Sequence, residues 1–140
     1  MSGVVHVPLP PRDAFTLFTP TGERRWAAGW SPRFPAPALD ETEPGTVFET
    51  EKAGRRTTWL VAACTPGAAI TYARTTPDDC AGMVTIACTP NANGTTDACV
   101  GYDLTALTDA ARVSLAAFAA QYPEFLEHWR LAIVACLAQE

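Results

Sequence analysis

Between Thr46 and Leu107 the chain alternates in hydrophobicity every second residue and halts at short turns rich in Gly, Pro and Asn. The runs are "TVFETEK", "RTTWLVAAC", "ITYART", "MVTIAC" and "TTDACVGYDLTAL", parted by "AGR", "TPGA", "TPDDCAG" and "TPNANG". A period of two sends successive side chains to opposite faces of a strand, and turns this short join antiparallel neighbours. The pattern predicts five strands in a meander. After Thr108 the period lengthens, and Leu115, Phe118, Tyr122, Phe125, Trp129, Ile133 and Cys136 recur at steps of three and four with no glycine between them. Thr108 suits a helix cap and Asp109 the positive end of the helix. Pro123 removes one backbone donor inside this stretch and predicts a bend in one long helix. A sheet with one apolar face and a single helix long enough to cover it leaves few architectures open.

The first third of the chain supplies the rest of the cover. "VVHVPLP" reads as a short strand, with Pro8 and Pro10 suited to a sheet edge. "PRDAFTLFT" reads as a short helix whose first turn tolerates Pro11, with Phe15 and Phe18 on its inner side. "TGERRWAAGW" predicts a second short helix, on which Trp26 and Trp30, four apart, share one face. Residues 31–45 hold four prolines and read as a loop. The fold class is therefore α+β: a curved antiparallel sheet around a long C-terminal helix, with two short helices after the first strand.

At 140 residues, residues 1–140 are expected to form a single domain. A net charge of −5 gives no electrostatic footprint for nucleic acid, whose phosphates demand clustered Lys and Arg. No apolar run reaches the ~18 residues of a membrane span. The opening "MSGVVHVPLPPRD" lacks the basic start and apolar middle of a signal peptide, so a cytoplasmic location is expected. Five cysteines (Cys64, Cys80, Cys88, Cys99 and Cys136) and two histidines (His6 and His128) show no ligand spacing, so no metal and no cofactor are expected. Cys64 and Cys88 end two strands with one strand between them, about 9.6 Å apart. That exceeds the roughly 7 Å reach of a disulfide.

The order "VPLPPRDAFTLFT", "W…GW…P", "EPGTVFET", "TTWLVAACTPGAAITYART", "GTTDACVGYDLTAL" and "FLEHWRLAI" resembles the SRPBCC superfamily, also called START-like or Bet v 1-like, with its helix-grip fold. The resemblance covers nearly the whole chain. Its closest flavour is the bacterial branch labelled polyketide cyclase/dehydrase-like or Hsp90-ATPase-activator-like. It implies an interior cavity for a hydrophobic small molecule and no single activity.

On the strands, Trp59 and Val61, Ile70 and Tyr72, Val84 and Ile86, and Val100 and Tyr102 form the stronger apolar sets and are assigned to the concave face. The small residues Ala62, Ala63, Ala87, Ala98 and Gly101 interleave with them. Trp26, Trp30, Trp59, Tyr72, Tyr102, Phe118, Tyr122, Phe125 and Trp129 are expected to line a ligand cavity, with Trp26 and Trp30 at its mouth. Tyr72, Tyr102, Tyr122 and Arg74 would orient a polar group of the ligand. "EHWR" sets Glu127, His128 and Arg130 side by side, but neighbours on a helix point apart, and no catalytic constellation can be read. Three functions remain open. They are a small-molecule binder, a cyclase/dehydratase-type enzyme on a polyketide-like substrate, and a protein-partner module; a homodimer is compatible with each. An enzyme should show a perturbed titratable group facing the cavity, and a partner module an exposed apolar patch.

Overall fold

Six strands pair side by side in a computed structural model that describes residues 1–140. They are β1 (Ser2–Val7), β2 (Val47–Lys52), β3 (Arg55–Thr65), β4 (Ala69–Thr76), β5 (Cys80–Pro90) and β6 (Thr96–Ala106), in the spatial order β1-β6-β5-β4-β3-β2. Every pairing is antiparallel. The turn between β2 and β3 is two residues long, Ala53 and Gly54 at φ 51° and 77°. Two successive positive φ values match the right-handed twist of a two-residue hairpin. Val61, Tyr72, Val84 and Tyr102 lie in one row across the covered face, and Trp59, Arg74, Gly82 and Leu104 in the next. The register of β3 slips between Val61 and Ala63, a bulge that bends the strand. It also leaves Ala62 and Ala63 both exposed, so neither interleaves with the interior as their alternation predicted.

Helix α1 (Pro11–Thr16) opens with its proline in the first turn and buries Ala14 and Phe15. The predicted second helix shortens to a 3-10 turn over Gly22–Arg25. Trp26 already leaves helical geometry at φ −134°, and Gly29 takes a φ of 75° that a helix cannot include. Tertiary hydrogen bonds hold the chain this way: the Trp26 indole N–H donates to the Leu17 carbonyl at 2.8 Å and that of Trp30 to Pro20 at 2.7 Å.

The C-terminal stretch is two helices, α2 (Asp109–Ala120) and α3 (Tyr122–Leu137), rather than one bent one. Thr108 caps α2 through Ala111 N–H at 3.0 Å. Gln121, at φ −99° and ψ 7°, leaves helical geometry. Pro123 then falls in the first turn of α3, where its missing N–H costs nothing. Inside a continuous helix its ring would have met the carbonyl four residues back.

The helices cover one side of the sheet. Helix α3 packs on β1, α2 on β6, and α1 on β5 and β6. Gly3 makes the first contact close, since a Cβ there would stand 2.5 Å from Leu126 Cδ1. Over β2, β3 and β4 the cover includes the loop after the 3-10 turn, through Trp30 and Phe34. Arg33 exchanges two backbone hydrogen bonds of 2.8 Å with Glu49 and so occupies the free edge of β2. One hydrophobic core runs from Val5 to Ile133. All five cysteines are free thiols, and no helix is long and apolar enough to cross a membrane.

Candidate functional site

The aromatic side chains under the helices make two groups of ring contacts. Trp129 is the hub of the first, 5.1 Å from Trp26, 5.2 Å from Phe125 and 6.5 Å from Tyr102. Phe118 and Tyr122 join it through Phe125 and Tyr102, and Phe18 through Trp26. In the second, Trp59 stacks on Phe48 at 5.7 Å, with Trp30 5.5 Å and Tyr72 5.9 Å from Trp59. The Tyr72 hydroxyl donates to the Phe18 carbonyl at 2.8 Å and ties the two groups together. Trp26 and Trp30 therefore diverge, one toward α3 and one toward β2 and β3, because no helix spans both. Trp26, Trp59, Tyr72, Tyr102 and Tyr122 are buried; Trp30, Phe118, Phe125 and Trp129 are half-buried. Phe18, Phe34 and Phe48 complete the clusters and were not among the expected lining residues. Phe48 was legible by alternation within "TVFETEK".

Most polar atoms among these rings have a fixed partner. Tyr122 donates to the Val100 carbonyl at 2.6 Å, and Trp59 to Thr50 Oγ1 at 3.0 Å. Three polar groups differ. Tyr102 is 8% exposed, and its hydroxyl meets no protein partner. Glu23 is likewise 8% exposed, and its carboxyl forms neither hydrogen bond nor ion pair. The Arg74 guanidinium lies 4.9 Å from the centre of the Trp59 ring and reaches Thr76 Oγ1 at 3.2 Å, but its Nε is buried and unpaired. Gly82 stands beside Arg74 in the same row, so no side chain fills the inner face between Arg74 and Leu104.

Tyr72 and Tyr102 flank Val84 in a single row, about two strand spacings apart. Burial raises both phenols far above their usual range, and the charge of Glu23 raises both further. The positive charge of Arg74 pulls Tyr102 the other way. Burial also holds the Glu23 carboxyl well above the ordinary carboxylate range. Burial pushes Tyr122 up to about 12. Sequence reasoning named Arg74 and the tyrosines but missed Glu23, which sits in the charged string "GERR" and reads as surface. The available signal was its spacing of three from Trp26, since residues three apart eclipse in a 3-10 turn.

The other candidates are at the surface. His128 is exposed, Glu127 pairs with Arg130, and His6 meets Asp97 at 3.1 Å in solvent. No group of three or more His, Cys, Asp or Glu side chains stands ready to hold a metal. Two open recesses lie elsewhere. One of about 380 Å³ is bordered by Met1, Met83, Thr85, Tyr102 and Asp103, and one of about 280 Å³ by Arg33, Glu49, Glu51 and Arg56. The second is bordered by polar residues alone, and neither includes Glu23 or Arg74.

A curved antiparallel sheet holding a C-terminal helix, with a partly polar interior, defines an α+β domain of the helix-grip kind. Solved structures share this fold. The MLL2253 protein of Mesorhizobium loti superposes with a TM-score of 0.66 at 19% identity, over 96% of this chain and 98% of that one. DynU16, from the dynemicin biosynthetic locus, gives 0.58 at 17%, over 99% of this chain but 45% of its own. The Aha1 dimer of Colwellia psychrerythraea gives 0.57 at 11%, over 91% and 92%. No family model and no curated protein matches the chain.

Proposed function

We propose that this chain binds a hydrophobic or aromatic small molecule between the sheet and the terminal helices, as the resemblance to the SRPBCC superfamily implies. Trp26, Trp30, Trp59, Tyr72, Tyr102, Phe118, Tyr122, Phe125 and Trp129 would surround it. The observation that carries this reading is the Arg74 Nε, buried and without a partner inside an aromatic interior. A core selected for packing alone pairs its buried polar atoms, because each orphan costs about 1–3 kcal/mol. A binding site keeps such groups open for its ligand. Entry would be past the loop carrying Trp30, which covers β2 and β3 without a helix. Native mass spectrometry of the purified protein should show a retained small molecule. Titration with planar hydrophobic compounds should quench tryptophan fluorescence and raise the melting temperature. A bare mass together with an unmoved melting temperature would refute the reading.

Glu23 favours a second reading, in which the protein is an enzyme of the cyclase/dehydratase kind. A buried carboxyl whose pKa burial raises well above the ordinary carboxylate range is suited to hold and donate a proton. Turnover lost in Glu23→Gln with ligand binding kept would separate the two. The partner module rests on a different observation: the exposed Val47, Leu60 and Met83 lie with Ala73 in one apolar row of the outer sheet face.

A further inference from the structure

We propose that Arg74 anchors the carboxylate of a hydrophobic aromatic acid, at the one row of the covered sheet face where the interior carries charge and meets solvent. This rests on the binding reading above and names the polar group of its ligand. Arg74 stands in the row Trp59, Arg74, Gly82 and Leu104. The neighbouring row, Val61, Tyr72, Val84 and Tyr102, is buried throughout, and so are Thr57, Thr76 and Cys80 on the other side. Between these buried rows, Arg74, Gly82 and Leu104 are each partly open to solvent. Gly82 contributes no side chain, so Arg74 and Leu104 face each other across two strand spacings, about 9.6 Å.

The guanidinium is held in place and left without a counter-charge. It lies over the Trp59 ring, and its Nη2 donates to Thr76 Oγ1 at 3.2 Å and to Cys80 Sγ at 3.9 Å. Nε is enclosed without a partner, while Nη1 bonds nothing in the protein and is not enclosed. The carboxylates that pair with arginines pair with Arg25, Arg33, Arg56, Arg112 and Arg130, and none pairs with Arg74. Burial raises the Cys80 thiol above its ordinary range, so it supplies no negative charge at neutral pH. A half-enclosed cation without a counter-ion is costly, and an anion that completes the pair removes that cost. Nη1 keeps both of its N–H donors for it. A carboxylate matches the single cation with a single charge, whereas a phosphate brings nearly two. The body behind the carboxylate meets apolar walls: Trp59 and Leu104 in the same row, and Phe118 edge-to-face on Tyr102 in the next.

Isothermal titration of the full chain at pH 7 with 2-naphthoate, 2-naphthamide and 2-naphthyl phosphate tests the anchor. The naphthoate should bind about tenfold more tightly than the amide, which has its shape but no charge, and more tightly than the phosphate. Arg74→Met keeps the apolar stem and deletes the charge. It should remove that preference and leave the amide's affinity within about twofold. Should the methionine variant fail to fold, Arg74→Gln, polar but uncharged, should lose the preference in the same way. Equal binding of naphthoate and amide by the unaltered protein would overturn the anchor while leaving the apolar site standing. A preference that survives without the arginine would overturn it too, and tighter binding of the phosphate would overturn the carboxylate as the head group. Binding of none of the three would overturn the anchor as well, and the native mass spectrum then decides the binding reading on its own.

Discussion

Glu23 shows how little a residue's identity says about its surroundings. Its neighbours Arg24 and Arg25 are exposed, yet the 3-10 turn aims its own side chain inward beside Trp26. Its folded-state pKa lies above the ordinary 4.5, so the folded protein holds this proton after the unfolded chain has released it. The contribution to stability is therefore fully present below about pH 4.5 and drains away as pH rises toward the folded value. Glu23→Gln, which cannot ionise, should lack that decline. Urea unfolding from pH 4 to 9 should show the natural protein losing stability relative to the variant as pH increases. Parallel profiles would mean that the carboxyl is hydrated in the folded state.

The strands and helices carry the packing, and three substitutions test how. Trp129 on α3 contacts Phe18, Trp26, Tyr102 and Phe125. Its truncation to alanine should cost about 3–5 kcal/mol, as large aromatic deletions from cores do. Glu127→Ala, on the exposed side of the same helix, should leave stability nearly unchanged, because surface ion pairs contribute little. Similar losses from both would show that α3 presents a different face to the sheet. On β5, a Cβ at Gly82 would stand 2.0 Å from the Asp103 carbonyl oxygen. Backbone cannot step aside as a flexible side chain can, so Gly82→Ala should destabilise by about 1–3 kcal/mol. Chemical unfolding midpoints measure all three variants.

Across the whole chain, β1 pairs with β6, and α3 rests on β1. The two ends of the sequence thus complete one core, which argues that residues 1–140 unfold as a single unit. Tryptophan fluorescence reports both aromatic groups, and far-ultraviolet circular dichroism reports the helices. Their denaturation curves should coincide. A separate, earlier loss of helical signal would show that the α2–α3 layer melts on its own and that the chain holds two cooperative units.

The sequence by itself determined the six strands, their inner faces and the amphipathic C-terminal stretch. Those features rest on local periodicity, which burial of one face imposes on neighbours two or four residues apart. The burial of Trp59, Tyr72, Tyr102 and Tyr122 was legible for the same reason, since each falls on an apolar face. Tertiary structure decided the rest. It broke the last helix at Gln121, slipped β3 by one residue at Ala62, and sent Trp26 and Trp30 to different walls. It also turned Glu23 inward. Each of these outcomes depends on a partner distant in sequence, such as the Leu17 carbonyl that holds Trp26 or the core row that receives Glu23, and no local pattern encodes such a partner.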